Sequence, residues 1–161
     1  KIGVDSLKIE GRTKSLYYVA RAAQVYRQAI DDAVAGRPFD LKLLSDLDGL
    51  ANRGYTPGFL ERHQTQEYQN YLTGHSKAKQ SQYVGDVIEV DADGWALIEV
   101  KNRFGVGDRL EVIHPSGNRI IELAEMTRNG ESVQLAAGNG MQVRIPGLQG
   151  YDSKALITRL M

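Results

Sequence analysis

Apolar and polar positions follow two different rhythms along this chain, and the change falls near residue 82. Residues 4–10 alternate apolar and polar, with Val4, Leu7 and Ile9 as the positions for burial, which predicts a short strand. From Leu16 the spacing lengthens to three and four residues. Leu16, Val19, Ala23, Tyr26, Ile30 and Ala33 mark the buried face of a long helix. Ser15 is its expected N-cap, and Gly36 with Pro38 is its stop. Asp40 then caps a second helix carrying Leu41, Leu44 and Leu47, with Leu50 near the same face, which ends near Asn52-Arg53-Gly54. A turn and short apolar segment, Tyr55–Leu60, leads into a glutamine-rich stretch, Glu61–Gln82. That stretch predicts a linker with a short helix around Glu67–Leu72.

From Tyr83 onward the pattern is strand and turn. Tyr83–Val90, Trp95–Lys101, Arg109–His114, Arg119–Glu125, Ser132–Leu135, Met141–Ile145 and Ala155–Leu160 are β-like runs, separated by glycine- and asparagine-bearing turns. Short strands at this spacing predict a small closed barrel of six or seven strands. The fold class expected is therefore α+β. A strand–helix–helix portion occupies residues 1–76 and an all-β barrel residues 77–161. A strand that feeds a helix is half of a βαβ unit, and no parallel neighbour for it follows in the sequence. Its partners are expected before residue 1, which makes residues 1–76 the end of an upstream catalytic domain.

Charge narrows the function classes. Residues 1–76 hold ten basic and nine acidic side chains and residues 77–161 ten and eleven, so neither half is a basic module in bulk. Contact with nucleic acid would need a local stripe of charge. Zero cysteines exclude a disulfide scaffold, a thiol nucleophile and a cysteine-held zinc or iron–sulfur cluster within these residues. No apolar run approaches the roughly 18 residues that a spanning helix needs, so no membrane partner is expected, and a cytoplasmic setting is the default. His63, His75 and His114 lie far apart, read as surface residues, and lack metal-ligand spacing. Asp91-Ala92-Asp93-Gly94 is a hairpin turn, since an EF-hand loop would require an acidic residue where Asn102 stands. No nucleophile elbow appears, and no catalytic or metal-ligating residue is assigned.

Several separated blocks carry a family resemblance. Asp5–Arg12, Lys14-Ser15, Tyr17–Ala20 and Tyr26–Asp31 resemble the collagenase-like peptidase family, the thirty-second peptidase family of unassigned type. Arg53–Leu60 is similar to that family's next shared block, and Ala96–Pro115 to its C-terminal barrel. The resemblance is strongest to bacterial members linked to prephenate-dependent hydroxylation of the wobble uridine in tRNA. It implies a C-terminal barrel like the second domain of translation elongation factors, with tRNA and prephenate as partners. It also implies an iron–sulfur cluster, which could be held only by cysteines outside this sequence. The family name leaves two other readings open: peptide hydrolysis, and a non-catalytic binding or assembly module.

Within that frame, Lys8, Glu10, Arg12 and Lys14 are the leading substrate-binding residues. At the C-terminal end of a β/α-barrel strand, Gly11 and Arg12 reach the face where such barrels build active sites. The guanidinium fork of Arg12 fits a carboxylate or phosphate. The alternative is an ion pair, Lys8–Glu10 or Glu10–Arg12, that fixes the strand–helix corner. Arg53 and Tyr55 read equally as a loop over the substrate or as a helix stop with a packed aromatic. Lys101, Arg103 and Arg109 with Phe104 are the most RNA-like cluster of the second half. The competing account there is a solvated loop whose Phe104 plugs the barrel end.

Overall fold

Ser15 starts the first helix in the way its chemistry predicts. Its hydroxyl accepts the Tyr18 N–H at 3.2 Å, closing one of the orphan donors at the start of α1, Leu16–Val34. The far end closes on glycine. Gly36 adopts φ +71°, Gly36 N–H donates to the Ala33 carbonyl and Arg37 N–H to the Asp32 carbonyl, the paired bonds of a Schellman stop. Asp40 accepts the Lys42 N–H at 2.9 Å and opens α2, Lys42–Asp48. The structure, a computed structural model, describes residues 5–48, 50 and 81–161. Val4, Arg53, Tyr55, His63, His75, the turn at 55–60 and the helix expected around 67–72 lie outside the described residues.

Two expectations for the first part are corrected. Residues 5–10 are irregular backbone and not a strand, and Leu7 and Ile9 are exposed. A strand needs a neighbour for its N–H and C=O groups, and none of the described residues supplies one. The buried face of α1 also differs. It carries Tyr17, Arg21, Ala22, Val25 and Asp32, while Leu16, Val19, Ala23, Tyr26 and Ala33 are exposed. Val25, Tyr26 and Ala29 line an apolar groove with Phe39, Leu43, Leu44 and Leu47, so α2 borders α1 at Tyr26 and beside it, and not along Leu16 and Val19. On α2 the buried leucine is Leu43; Leu44 lines the groove but stays partly exposed, and Leu41, just ahead of the helix, is exposed.

The chain divides into two compact units, Lys1–Lys77 and Ala78–Met161. In the second, β1 (Ser81–Val90), β2 (Ala96–Val100), β4 (Arg109–Ile113), β5 (Arg119–Glu122), β9 (Gln142–Ile145) and β10 (Leu156–Leu160) form most of one antiparallel sheet. β6 (Thr127–Arg128) and β7 (Glu131–Ser132) complete it, in the order β5-β4-β10-β1-β2-β9-β6-β7. β3 (Phe104–Gly105) and β8 (Leu135–Ala136) make a separate two-stranded ladder. The hydrogen-bonded order ends at β5 and β7, so among the described residues the strand pairing traces an antiparallel sheet and no closed barrel. β1 starts two residues inside the stretch expected to be linker, and the run expected at 132–135 is split between β7 and β8.

Alternation carries the core. Ala96, Ile98 and Val100 point inward from β2, as do Val143 and Ile145 from β9, to meet Phe104 and Leu110 in one fully buried cluster. A register shift between Tyr83 and Gly85 bends β1 across two neighbours. A Cβ at residue 85 would stand 2.8 Å from the Glu99 carbonyl oxygen, so glycine is required where β1 crosses β2. The hairpin expected at 91–94 forms, with Asp91 Oδ1 accepting the N–H groups of Asp93 and Trp95 at 3.1 and 2.8 Å.

Candidate functional site

The residues expected to bind an anion sit just ahead of α1. The turn is fixed by Lys14 N–H donating to the Gly11 carbonyl at 2.9 Å. Lys8 and Glu10 pair at 3.1 Å, with side chains 86% and 70% exposed. Such an open pair contributes about 0–1 kcal/mol. Glu10 is therefore taken by Lys8 and not by Arg12. Lys14 lies 5.0 Å from the Tyr18 ring centre, where a cation–π contact holds it over the first turn of the helix. Arg12 is exposed and makes no ion pair among the described residues. Of the four, it is the one whose charge meets no partner among the described residues.

The second group divides in the same manner. Phe104 is fully buried and belongs to the core, so it cannot serve as a stacking platform for RNA. Lys101 bridges Glu99 at 2.9 Å and Asp86 at 3.4 Å. Its pKa is raised, first by the hydrogen bond to Glu99, and its charge is spent locally. Arg103, in the bend before β3, and Arg109, the first residue of β4, are exposed. Neither has an ion-pair partner among the described residues. The segment is anchored by Asn102 Nδ2, which donates to the Tyr83 carbonyl at 2.8 Å, and by Gly105 N–H, which donates to Asp108 Oδ2 at 2.8 Å.

Two polar clusters are not legible in the sequence. Tyr83 donates its phenol to Asp86, beside Glu99 and Lys101, on the outer face of β1 and β2. Burial first, and then the hydrogen bond to Asp86, raises the Tyr83 pKa well above the ordinary tyrosine value. The i, i+2 spacing of Glu99 and Lys101 on a strand is the available signal, but their pairing with Asp86 depends on register. The other cluster joins two loops. His114, expected at the surface, is buried; its Nδ1 lies 2.6 Å from Ser116 Oγ and its Nε2 3.0 Å from Asp152 Oδ1. The Ser116 backbone N–H also donates to Nδ1, at 3.1 Å, which assigns the ring proton to Nε2 and directs it at Asp152. The Tyr151 ring meets the imidazole edge-on at 5.4 Å. The Lys154 N–H, followed by His114, lowers the Asp152 pKa to about 2. No group of three or more potential metal ligands occurs among the described residues, and no described helix is long and apolar enough to cross a membrane.

Two adjoining family models account for nearly all of this sequence: peptidase family U32 over residues 1–70 and the U32 C-terminal domain over residues 79–158. The chain belongs to peptidase family U32. A U32 relative in Escherichia coli K12, tRNA hydroxylation protein P, is 53% identical over 161 residues, covering 99% of this chain and 36% of its own length. An uncharacterized protease of Methanocaldococcus jannaschii is 30% identical over 139 residues, covering 82% of this chain and 34% of its own. The chain thus spans about a third of the length of these curated relatives. Among solved structures, the C-terminal domain of a U32 protein from Geobacillus thermoleovorans aligns over 48% of this chain and 91% of its own, at 18% identity and a TM-score of 0.46.

Proposed function

We propose that these U32 residues are the C-terminal part of a longer tRNA-modifying protein that hydroxylates the wobble uridine in a prephenate-dependent reaction. In that protein they supply contacts to substrate and leave the redox chemistry to other residues. The observation that carries this reading is the 53% identity, over 99% of the chain, to a protein named for tRNA hydroxylation. The distribution of charge agrees with it. Within the expected binding set, Arg12, Arg103 and Arg109 are the guanidinium groups that internal carboxylates leave open. A planar fork suits either the carboxylates of prephenate or the phosphates of tRNA. Arg53 and Tyr55 belong to the same proposed substrate set on sequence grounds alone. So does the likeness of the strand unit to the second domain of elongation factors.

An iron–sulfur cluster fits nothing in this chain, which has no cysteine to ligate it. Any such group would have to be held elsewhere in the longer protein, and no step is assigned to it. A buried His114 flanked by Ser116 and Asp152 has the residue types of a hydrolase triad, but Nδ1 is already an acceptor for the Ser116 backbone N–H. The arrangement ties two loops together, and the peptidase reading gains no support from it. The test is mass spectrometry of tRNA from cells whose full-length gene is intact, deleted, or truncated before this segment. Hydroxylated wobble uridine should vanish in both altered strains. Normal levels in the deletion strain would overturn the proposal.

A further inference from the structure

Asparagine or aspartate stands directly before glycine at three places where both residues are described: Asp93-Gly94, Asn129-Gly130 and Asn139-Gly140. In such a pair the glycine nitrogen can attack the preceding side-chain carbonyl carbon, because glycine has no Cβ to crowd the approach. The three differ in whether that nitrogen is occupied. Gly94 N–H donates to the Asp91 carbonyl at 3.0 Å and Gly140 N–H to the Val100 carbonyl at 2.9 Å. Gly130 N–H makes no hydrogen bond among the described residues. Crowding follows the same order. A Cβ on Gly94 would strike the Gln149 side chain, one on Gly140 would lie 3.9 Å from Glu99 Oε1, and one on Gly130 would meet nothing within 4 Å. Asn129 and Gly130 are exposed at the tip of the β6–β7 hairpin, with φ +52° and +84°, the positive pair that a two-residue primed turn requires. That hairpin is weakly held. Its strands have two residues each, lie at the end of the sheet, and join β9 through the Thr127–Arg144 pair. Local opening costs least in such a place, and opening lets the Asn129 side chain swing toward the Gly130 nitrogen.

We propose that Asn129 is a site of spontaneous deamidation, and that the fold holds Asn139 back from the same reaction. The Gly130 nitrogen bonds to Asn129 Cγ as the Cγ–Nδ2 bond breaks, and the Gly130 proton leaves with Nδ2 as ammonia. The cyclic succinimide then takes up a water molecule. It opens to aspartate, or through its other carbonyl to isoaspartate. Either product adds a negative charge to a chain of zero formal net charge, two residues before Glu131. Isoaspartate also inserts a methylene into the main chain. A two-residue turn cannot absorb that insertion and keep Arg128 paired with Glu131, so the modified chain loses this hairpin.

Peptide mapping by mass spectrometry of the 161-residue chain, held at mildly alkaline pH for increasing times, tests this. Deamidation at Asn129 should outpace that at Asn139 by about tenfold, the factor that one extra backbone hydrogen bond supports. In urea, which frees both glycine nitrogens, the two rates should converge. Equal rates in the folded chain, or a faster reaction at Asn139, would overturn the proposal. So would a difference that persists undiminished in urea, because neighbouring sequence and not the fold would then be its cause. The succinimide has a readout of its own. Protein isoaspartyl methyltransferase, supplied with labelled S-adenosylmethionine, should place its methyl group on the peptide that spans β6 and β7 in aged protein. Asn129→Gly keeps a residue suited to positive φ in the turn, so it should abolish that label and leave the circular dichroism of the chain unchanged. Deamidated Asn129 without label, or label that survives Asn129→Gly, would contradict the reaction proposed.

Discussion

Lys101 illustrates how a basic side chain on a strand surface can be withheld from a polyanion. Glu99 and Asp86 hold its ammonium, whereas Arg103 and Arg109 carry no such load. Replacing either arginine by alanine in the full-length protein should weaken tRNA binding. The slope of log affinity against log salt should also fall by about 0.7–0.9 for each phosphate that is no longer neutralised. Lys101→Met should leave that slope unchanged; titrating labelled tRNA across salt concentrations separates the cases. Asp152 gives a pH prediction. Its pKa falls from the ordinary 3.8 to about 2 in the folded chain, so the unfolded chain takes up the proton first. The stabilisation is present above pH 3.8 and is lost as pH falls toward 2. Asp152→Asn should flatten that acid limb in unfolding followed by circular dichroism. Residue types are legible in the sequence at Arg12 and Arg103, because an exposed guanidinium needs only a loop to be exposed. The pairing of Lys101 with Asp86 and of His114 with Asp152 is not, because those carboxylates stand 15 and 38 residues distant.

At the scale of elements, caps are readable and faces are not. Ser15, Gly36 and Asp40 act through bonds to atoms within five residues, so local sequence determines them. Ser15→Ala should lower the stability of the helical unit by about 1 kcal/mol, measured by urea unfolding of the helix signal. The buried side of α1 depends on what lies against it, and α2 meets Val25, Tyr26 and Ala29, not Leu16 and Val19. The same dependence explains residues 5–10, whose strand-like pattern cannot become a strand without a partner. In the second unit the alternation in β1, β2, β9 and β10 locates the strands well. The two-residue strands β3 and β6 escape because so short a run has no period to detect.

Considered whole, the molecule joins a helical unit with outward apolar surface to a strand unit with its own close-packed core. The strand unit should fold without the helical one: residues 78–161 alone should unfold cooperatively with matching transitions by fluorescence and circular dichroism. The 161-residue chain should neither hydrolyse peptides nor hydroxylate tRNA by itself, since it has no cysteine and its described residues hold no nucleophile with a base free to activate it. On the proposed function its role is contact with an anionic substrate, and Arg12 is the side chain best placed to reveal it. Lysine at position 12 keeps the charge but loses the two parallel bonds of the guanidinium fork. The decisive measurement is the level of hydroxylated wobble uridine, by mass spectrometry, in cells whose full-length protein carries Arg12→Lys. Most of the modification should be lost while protein abundance stays unchanged. Near-normal modification would remove Arg12 from the site and contradict the account.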